Sequence, residues 1–373
     1  MDIGILLALQ DFRNGSGAFL ADFLSKMTYL GELNTVIVIM AIIYWSVSKE
    51  FGTYLLMGWS GNRIANGALK VTACAYRPWV RDARIVPYGN SITTATGYSF
   101  PSGHTMNAAT VFGGGSVRKD LPGLLRIVLG LTVALVAFSR IYLGVHCPQD
   151  ILVGAAAGLL VMWLTAKLMQ WVAARPEKDL LILCVGIGLA IAVAIYAAIK
   201  PYPADYDAEG RLLVDGLKMA NDTFKGVGWC SAFLTGWVLE RRFVDFSTDV
   251  PMITRVSRTA EGLLGYYMVS LIFVPLIKNG ISGPAGTVLS CFVQLLYVTF
   301  IFPWCLKYLE KPAAQVQSKK KYAKVDIGKP LPSDFGRGFS MLLYIFDAGY
   351  DHCRVLAISL RRDFCGSPWD PSC

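Results

Sequence analysis

The chain alternates long apolar runs with short polar connections. Six runs are long and strongly apolar: 33–47, 124–143, 151–172, 180–199, 263–277 and 288–306. Three more, 51–69, 102–117 and 227–239, are shorter or more polar. A membrane-spanning helix needs about 20 mostly apolar residues. The pattern therefore predicts an all-α, polytopic transmembrane helix bundle of about nine spans. Residues 1–32 read differently. Ile5, Leu6, Leu9 and Phe12, then Phe19, Leu20, Phe23 and Leu24, recur at helical spacing on an otherwise polar segment, the mark of an N-terminal interfacial helix. Asp11 and Arg13 cut the first apolar run short, so no cleavable signal peptide is expected.

Composition agrees with a lipid environment. Of the 373 residues 54% are hydrophobic and only 16% charged, against about a quarter charged in soluble domains. The net charge of +9 is spread along the chain, which suits topology rather than nucleic-acid binding. One set of connections carries Lys49, Arg118, Lys119, Arg126, Arg175, Lys178, Arg241, Arg242, Arg255 and Arg258, then a tail with Lys319, Lys320 and Lys321. The alternate set includes 201–222, with Asp205, Asp207, Glu209, Asp215 and Asp222. The positive-inside rule puts the first set in the cytoplasm, although Arg81 and Arg84 run against it. Four regions follow: an interfacial segment 1–32, a catalytic core 33–172, additional transmembrane helices 173–309 and a cytoplasmic tail 310–373, in which 339–360 has the pattern of an amphipathic surface helix. The nine cysteines form no C-x-x-C and no metal pattern. Cys74 and Cys147 both lie near the candidate site, which leaves a disulfide open.

Ionisable residues at membrane helices are costly and point to function. Lys70 and Arg77 stand seven apart, about two helical turns, so both point the same way. Two cations there suit a dianionic phosphate, with Arg offering a planar fork and Lys a point charge. Pro101-Ser102-Gly103-His104 opens an apolar helix. The N–H groups of Ser102, Gly103 and His104 would be free to face an anion at a helix start, and His104 could give a proton to a leaving oxygen. The third cluster runs from Ser139-Arg140 to His146 and Asp150. Asp150, four residues after His146, could hold one imidazole nitrogen while the other attacks, and Arg140 adds a charge for phosphoryl oxygens. Snorkelling cations, a capped helix and a structural His–Asp pair would explain each cluster singly. Together they hold two of only three histidines and fall on one side of the membrane. Phosphoryl transfer asks mainly for such positioning and charge stabilisation. No carboxylate cluster for magnesium is apparent, so no cofactor or metal is expected.

The three clusters resemble the signature of the type 2 phosphatidic acid phosphatase superfamily, K-x6-R-P, P-S-G-H and S-R-x5-H-x3-D, and match its fixed positions in order over roughly 30–172. The resemblance implies phosphate binding by Lys70, Arg77, Arg140, Ser102 and Gly103. It also implies His104 as general acid, His146 as the nucleophile forming a phosphohistidine, and Asp150 as its orienting carboxylate. The implied substrate is a lipid phosphate or pyrophosphate; the charge pattern puts the site at the outer membrane face, and the segments flanking the signature point to a bacterial plasma membrane. Two alternatives stay open. One is a sugar phosphatase, since glucose-6-phosphatases are similar in length and layout but lack an acid matching Asp150. The other is a non-catalytic lipid transporter or scramblase on the same scaffold, which the intact signature disfavours.

Overall fold

The computed structural model describes residues 2–310. The tail expected at 310–373, with its helix at 339–360, lies outside the described residues apart from Glu310. Among the described residues there is no strand, only an isolated bridge between Tyr206 and Leu212. The chain begins with α1 (Asp2–Gly15) and α2 (Ala18–Met27), joined where Gly17 takes a φ of 79°. Helix α3 (Leu33–Ile42) continues through a π-helical turn, Ile43–Val47. Ser48 then caps α4 (Lys49–Ala73) by accepting from the N–H of Phe51. After the short α5 (Pro78–Arg81), α6 (Gly103–Ala108) runs through a second π turn into α7 (Gly114–Ser116) as one rod. The next helices are α8 (Gly123–Tyr142), α9 (Pro148–Ala173), α10 (Asp179–Ile199) and α11 (Gly216–Leu239). Two rods close the bundle: α12 (Met252–Met268) with α13 (Val274–Gly280), and α14 (Gly283–Leu296) with α15 (Phe302–Leu309).

Five of these segments are long and apolar enough to cross a membrane: Gly123–Tyr142, Pro148–Ala173, Pro176–Ile199, Met252–Gly280 and Gly283–Leu309. A sixth counts if Ala18–Gly31 and Leu33–Val47, bent by 57°, form one broken span. The expected nine is thus not reached by length and composition. The reason lies in where the polar residues sit. Helices α4 and α11 bury most of their side chains, including Asn62, Asn66 and Thr223, inside the bundle. A helix shielded from lipid by its neighbours can carry polar groups that a lipid-facing helix cannot. The two helices approach closely. A Cβ on Gly67 would meet the Thr223 side chain at 3.0 Å, and one on Gly226 the Arg63 carbonyl oxygen at 3.1 Å.

Several helices are longer than the apolar pattern predicted, among them α4, α11, α12 and the α14–α15 rod. Helix α11 starts at Gly216 rather than 227 because Asp215 caps it, accepting from the N–H groups of Leu217 and Lys218. Helix α12 starts at Met252 rather than 263. Its polar first turns are used by Arg258, which pairs with Glu310 and donates to the Ser247 carbonyl. Helix α4 extends past 51–69 at both ends. Residues 1–32 form helices, as the spacing implied, yet part of their polar surface is engaged with protein. Arg13 is buried and donates to the carbonyls of Tyr142 (2.9 Å) and Val86 (2.7 Å), while Asp2 pairs with Arg81 at 2.6 Å and accepts from Gln149.

Candidate active site

The C-terminal ends of α4 and α8 and the N-terminal ends of α6 and α9 meet at one end of the bundle, around a cavity of about 350 Å³. Lys70 stands in the last turn of α4, where its Nζ donates to the carbonyls of Tyr98 (2.9 Å) and Pro101 (3.2 Å). The helix stops at Ala73, and Cys74 takes a left-handed conformation with φ 46°. Arg77 is therefore not on the same helical face as Lys70. It precedes Pro78, which disfavours helical geometry, and its φ and ψ of −66° and 154° are extended. Both side chains still line the cavity, brought there by the chain reversal rather than by two helical turns. The Arg77 guanidinium is held by the carbonyls of Gly97 (3.0 Å), Val145 (2.8 Å) and Thr96 (3.3 Å).

His146 lies in the turn between α8 and α9, which Gly144 makes possible with a φ of 75°. Cys147 caps α9 and Pro148 opens it, so Asp150 falls in the first turn, where its Oδ2 accepts from the N–H of Cys147 at 2.9 Å. The same oxygen lies 3.2 Å from His146 Nδ1 and 2.5 Å from Ser99 Oγ. Burial holds the imidazole well below its usual pKa, helped by the cations Arg77, Arg140 and Lys70. A neutral ring beside a carboxylate acceptor keeps its proton on Nδ1. Nε2 is then the free lone pair. It faces Arg77 Nη1 at 2.9 Å on the cavity wall.

His104 is the second residue of α6, and its Nε2 is buried without a hydrogen-bond partner. It lines the cavity with Gly103. Ser102 does not. It is fully buried, its N–H donates to the Asp150 carbonyl at 2.9 Å, and its hydroxyl accepts from Thr105. The N–H expected to face an anion is thus already used, and Ser102 joins the starts of α6 and α9. Arg140 is likewise fully buried and off the cavity wall. Its Nη1 donates to Thr28 Oγ1 at 2.6 Å, but Nε and Nη2 have no partner. Cys74 and Cys147 are free thiols rather than a disulfide. Among the described residues no three of His, Cys, Asp and Glu form a metal-binding group.

Some functional positions escaped sequence reasoning. Ser99 bonds to Asp150 and lies 3.3 Å from His146 Nδ1. A serine two residues before Pro101 carries no distinctive sequence signal. The far wall of the cavity is also new: Arg63 from α4, and Asp222, Lys225 and Trp229 from α11.

A bundle of apolar helices with a buried histidine against a carboxylate and a half-buried histidine whose Nε2 has no partner, beside Lys70 and Arg77, belongs to the class of membrane phosphatases. Comparison with known proteins agrees. Residues 51–174 match the PAP2 superfamily, and residues 224–314 match the PAP2 superfamily phosphatase, transmembrane extension. Phosphatidylglycerophosphatase B from Bacillus subtilis (strain 168) is 31% identical over 158 residues, covering 39% of this chain and 73% of that protein. Lipid phosphate phosphatase delta from Arabidopsis thaliana is 26% identical, covering 44% of this chain and 42% of that protein. Glucose-6-phosphatase catalytic subunit 1 from Haplochromis nubilus is 27% identical, covering 38% and 46%. The chain thus spans less than half the length of the plant and fish relatives. It belongs to the PAP2 superfamily, and it is a phosphatase and an integral membrane protein.

Proposed function

We propose that this protein hydrolyses a phosphate monoester or pyrophosphate on a membrane lipid, without a metal, through a phosphohistidine on His146. The observation that carries this is the polarity of the His146 ring, with Nδ1 against Asp150 and Nε2 directed at the cavity beside Lys70, Arg77 and the unpartnered His104.

Phosphoryl oxygens would take donors from Lys70, Arg77 and the N–H of Gly103, while Arg140 would add its positive charge from behind the cavity wall. Ser102 contributes by fixing the start of α6. Entry of the anion draws Arg77 Nη1 from Nε2 onto a phosphoryl oxygen and frees the lone pair. Nε2 attacks phosphorus, the P–O bond to the leaving group breaks, and His104 supplies the proton that the leaving oxygen needs. The imidazole becomes cationic, and Asp150 stabilises that charge through Nδ1–H. Water then attacks the phosphohistidine, giving its proton to His104, and phosphate leaves. Purified protein, incubated with labelled lipid phosphate and quenched in alkali, should retain label on histidine, and His146→Ala should retain none. Label in that variant would sink the mechanism.

The finer architecture belongs with this reading. Among the described residues α3 to α15 form nine helical rods, which supports nine spans. Lys49, Glu240, Asp245, Arg242 and Asp179 form ion pairs at the end opposite the histidines. By the positive-inside rule that end is cytoplasmic and the site faces outside, in a bacterial plasma membrane. Residues 33–172 would be the catalytic core and 173–309 an accessory bundle.

A sugar phosphate is the second reading. Asn34, Asn66, Asn107 and Glu32 on the cavity wall could bind hydroxyls. Phosphate release from glucose 6-phosphate, measured against lipid phosphates, decides between the two.

A further inference from the structure

Arg63 plays no part in the reaction above, yet it is the most unusual cation in the cavity. It lies seven residues before Lys70 on α4, two turns or about 10 Å deeper in the bundle. Its Nε is buried without a partner, and among the described residues its guanidinium makes no ion pair and no hydrogen bond. It rests instead over the Trp229 ring, 5.6 Å from the centroid. Asp222 and Lys225 flank it from α11, but they pair with each other at 2.6 Å. Residues 222, 225 and 229 follow helical spacing and so present one face to the cavity. Only Nε is shut off from the cavity; the half-buried side chain lines the cavity wall, where a bound anion would supply the acceptor that the guanidinium lacks.

Resting on the phosphatase reading, we propose that Arg63, with Trp229 beneath it and Lys225 alongside, is a subsite for a second anionic group on the substrate. Its depth says which kind. Adjacent phosphates of a pyrophosphate share one oxygen and would both stay near Lys70 and Arg77. An anion two turns deeper belongs to a phosphate separated from the reacting one by a short polyol. A lipid whose glycerol headgroup joins a phosphodiester to a terminal phosphate monoester fits this order. The terminal phosphate reaches His146 while the phosphodiester meets Arg63. The subsite lies between the signature helices and α11, so the extension supplies selectivity.

The test compares phosphatidylglycerol phosphate with phosphatidic acid, of the same acyl chains, in detergent. Wild type should favour the two-phosphate lipid in kcat/KM. Arg63→Gln should lower that preference about tenfold or more, the worth of one charged hydrogen bond, and Arg63→Lys should restore part of it. A preference in Arg63→Gln within twofold of wild type would overturn the proposal. Should Arg63→Gln not fold, wild type alone decides, through inhibition by glycerol bisphosphate against glycerol monophosphate. Tighter inhibition by the bisphosphate, by about tenfold, is expected, and equal inhibition overturns the subsite. Failure of wild type to release phosphate from either lipid refutes the phosphatase reading itself, and the subsite with it.

Discussion

Replacing Asp150 by asparagine separates orientation of the nucleophile from its presence. One oxygen, Oδ2, accepts from Cys147 N–H at 2.9 Å and Ser99 Oγ at 2.5 Å, and lies 3.2 Å from His146 Nδ1. An amide keeps one acceptor of similar shape but loses the charge that the cationic phosphohistidine needs. A hydrogen bond to a charged group is worth about 1.5–3 kcal/mol. Lost from the transition state alone, that is roughly a 10- to 150-fold slower phosphorylation. If the amide also reversed the imidazole tautomer, the loss would rise towards about 10⁴, as in the Asp→Asn variant of the serine-protease triad. Single-turnover formation of the alkali-stable phosphoenzyme measures the step directly. Ser99→Ala, which leaves the carboxylate charge in place for the phosphohistidine, should cost less than Asp150→Asn. A rate for Asp150→Asn within twofold of wild type, or below that of Ser99→Ala by no margin, would refute the assignment of Asp150 to the charged intermediate.

Other expectations follow from the same geometry. His146→Ala should abolish turnover, and His104→Ala should lower it by about 10²–10⁴ with a good leaving group affected least; equal loss for good and poor leaving groups would exclude a general acid. With only three histidines in the chain, ¹⁵N labelling resolves the ring of His146. Because burial lowers its pKa, the ring should stay neutral at pH 6.5 and gain its proton only below that, whereas titration at or above 6.5 would contradict the buried pair. Activity should persist in excess chelator, and an absolute need for a divalent ion would remove the metal-independent mechanism. Gly52→Ala should destabilise the protein by about 1–3 kcal/mol, because a Cβ there would meet the Tyr44 backbone at 2.3 Å; an unchanged unfolding temperature in detergent would refute that packing.

The chemistry was more legible in the sequence than the helix ends. His104, His146 and Asp150 stand out because ionisable residues are rare among apolar runs. Lys70 and Arg77 were found together for a reason that does not hold, since Pro78 takes Arg77 out of the helix. Helix α11 was cut short at 227 because Lys218, Asp222 and Lys225 lower its hydropathy, although the last two line the cavity and lie away from lipid. Hydropathy records what lipid tolerates, and an inner helix does not face lipid. The committed N–H of Ser102 and the retreat of Arg140 behind the wall depend on how α6, α8 and α9 meet. Such contacts join residues far apart in the chain and leave no local trace.

The clamp made by α1 bears on how the protein is built. Asp2 accepts from Gln149 and Arg13 donates to the Tyr142 carbonyl, contacts closed across 147 and 129 positions. During synthesis α1 is made well before α8 and must wait for the Tyr142 carbonyl, its partner in the fold, until α8 has emerged. Packing around the His146 turn therefore joins an early segment of the nascent chain to a much later one. Bulky fusions near Asp2 should slow the acquisition of activity more than they slow membrane insertion.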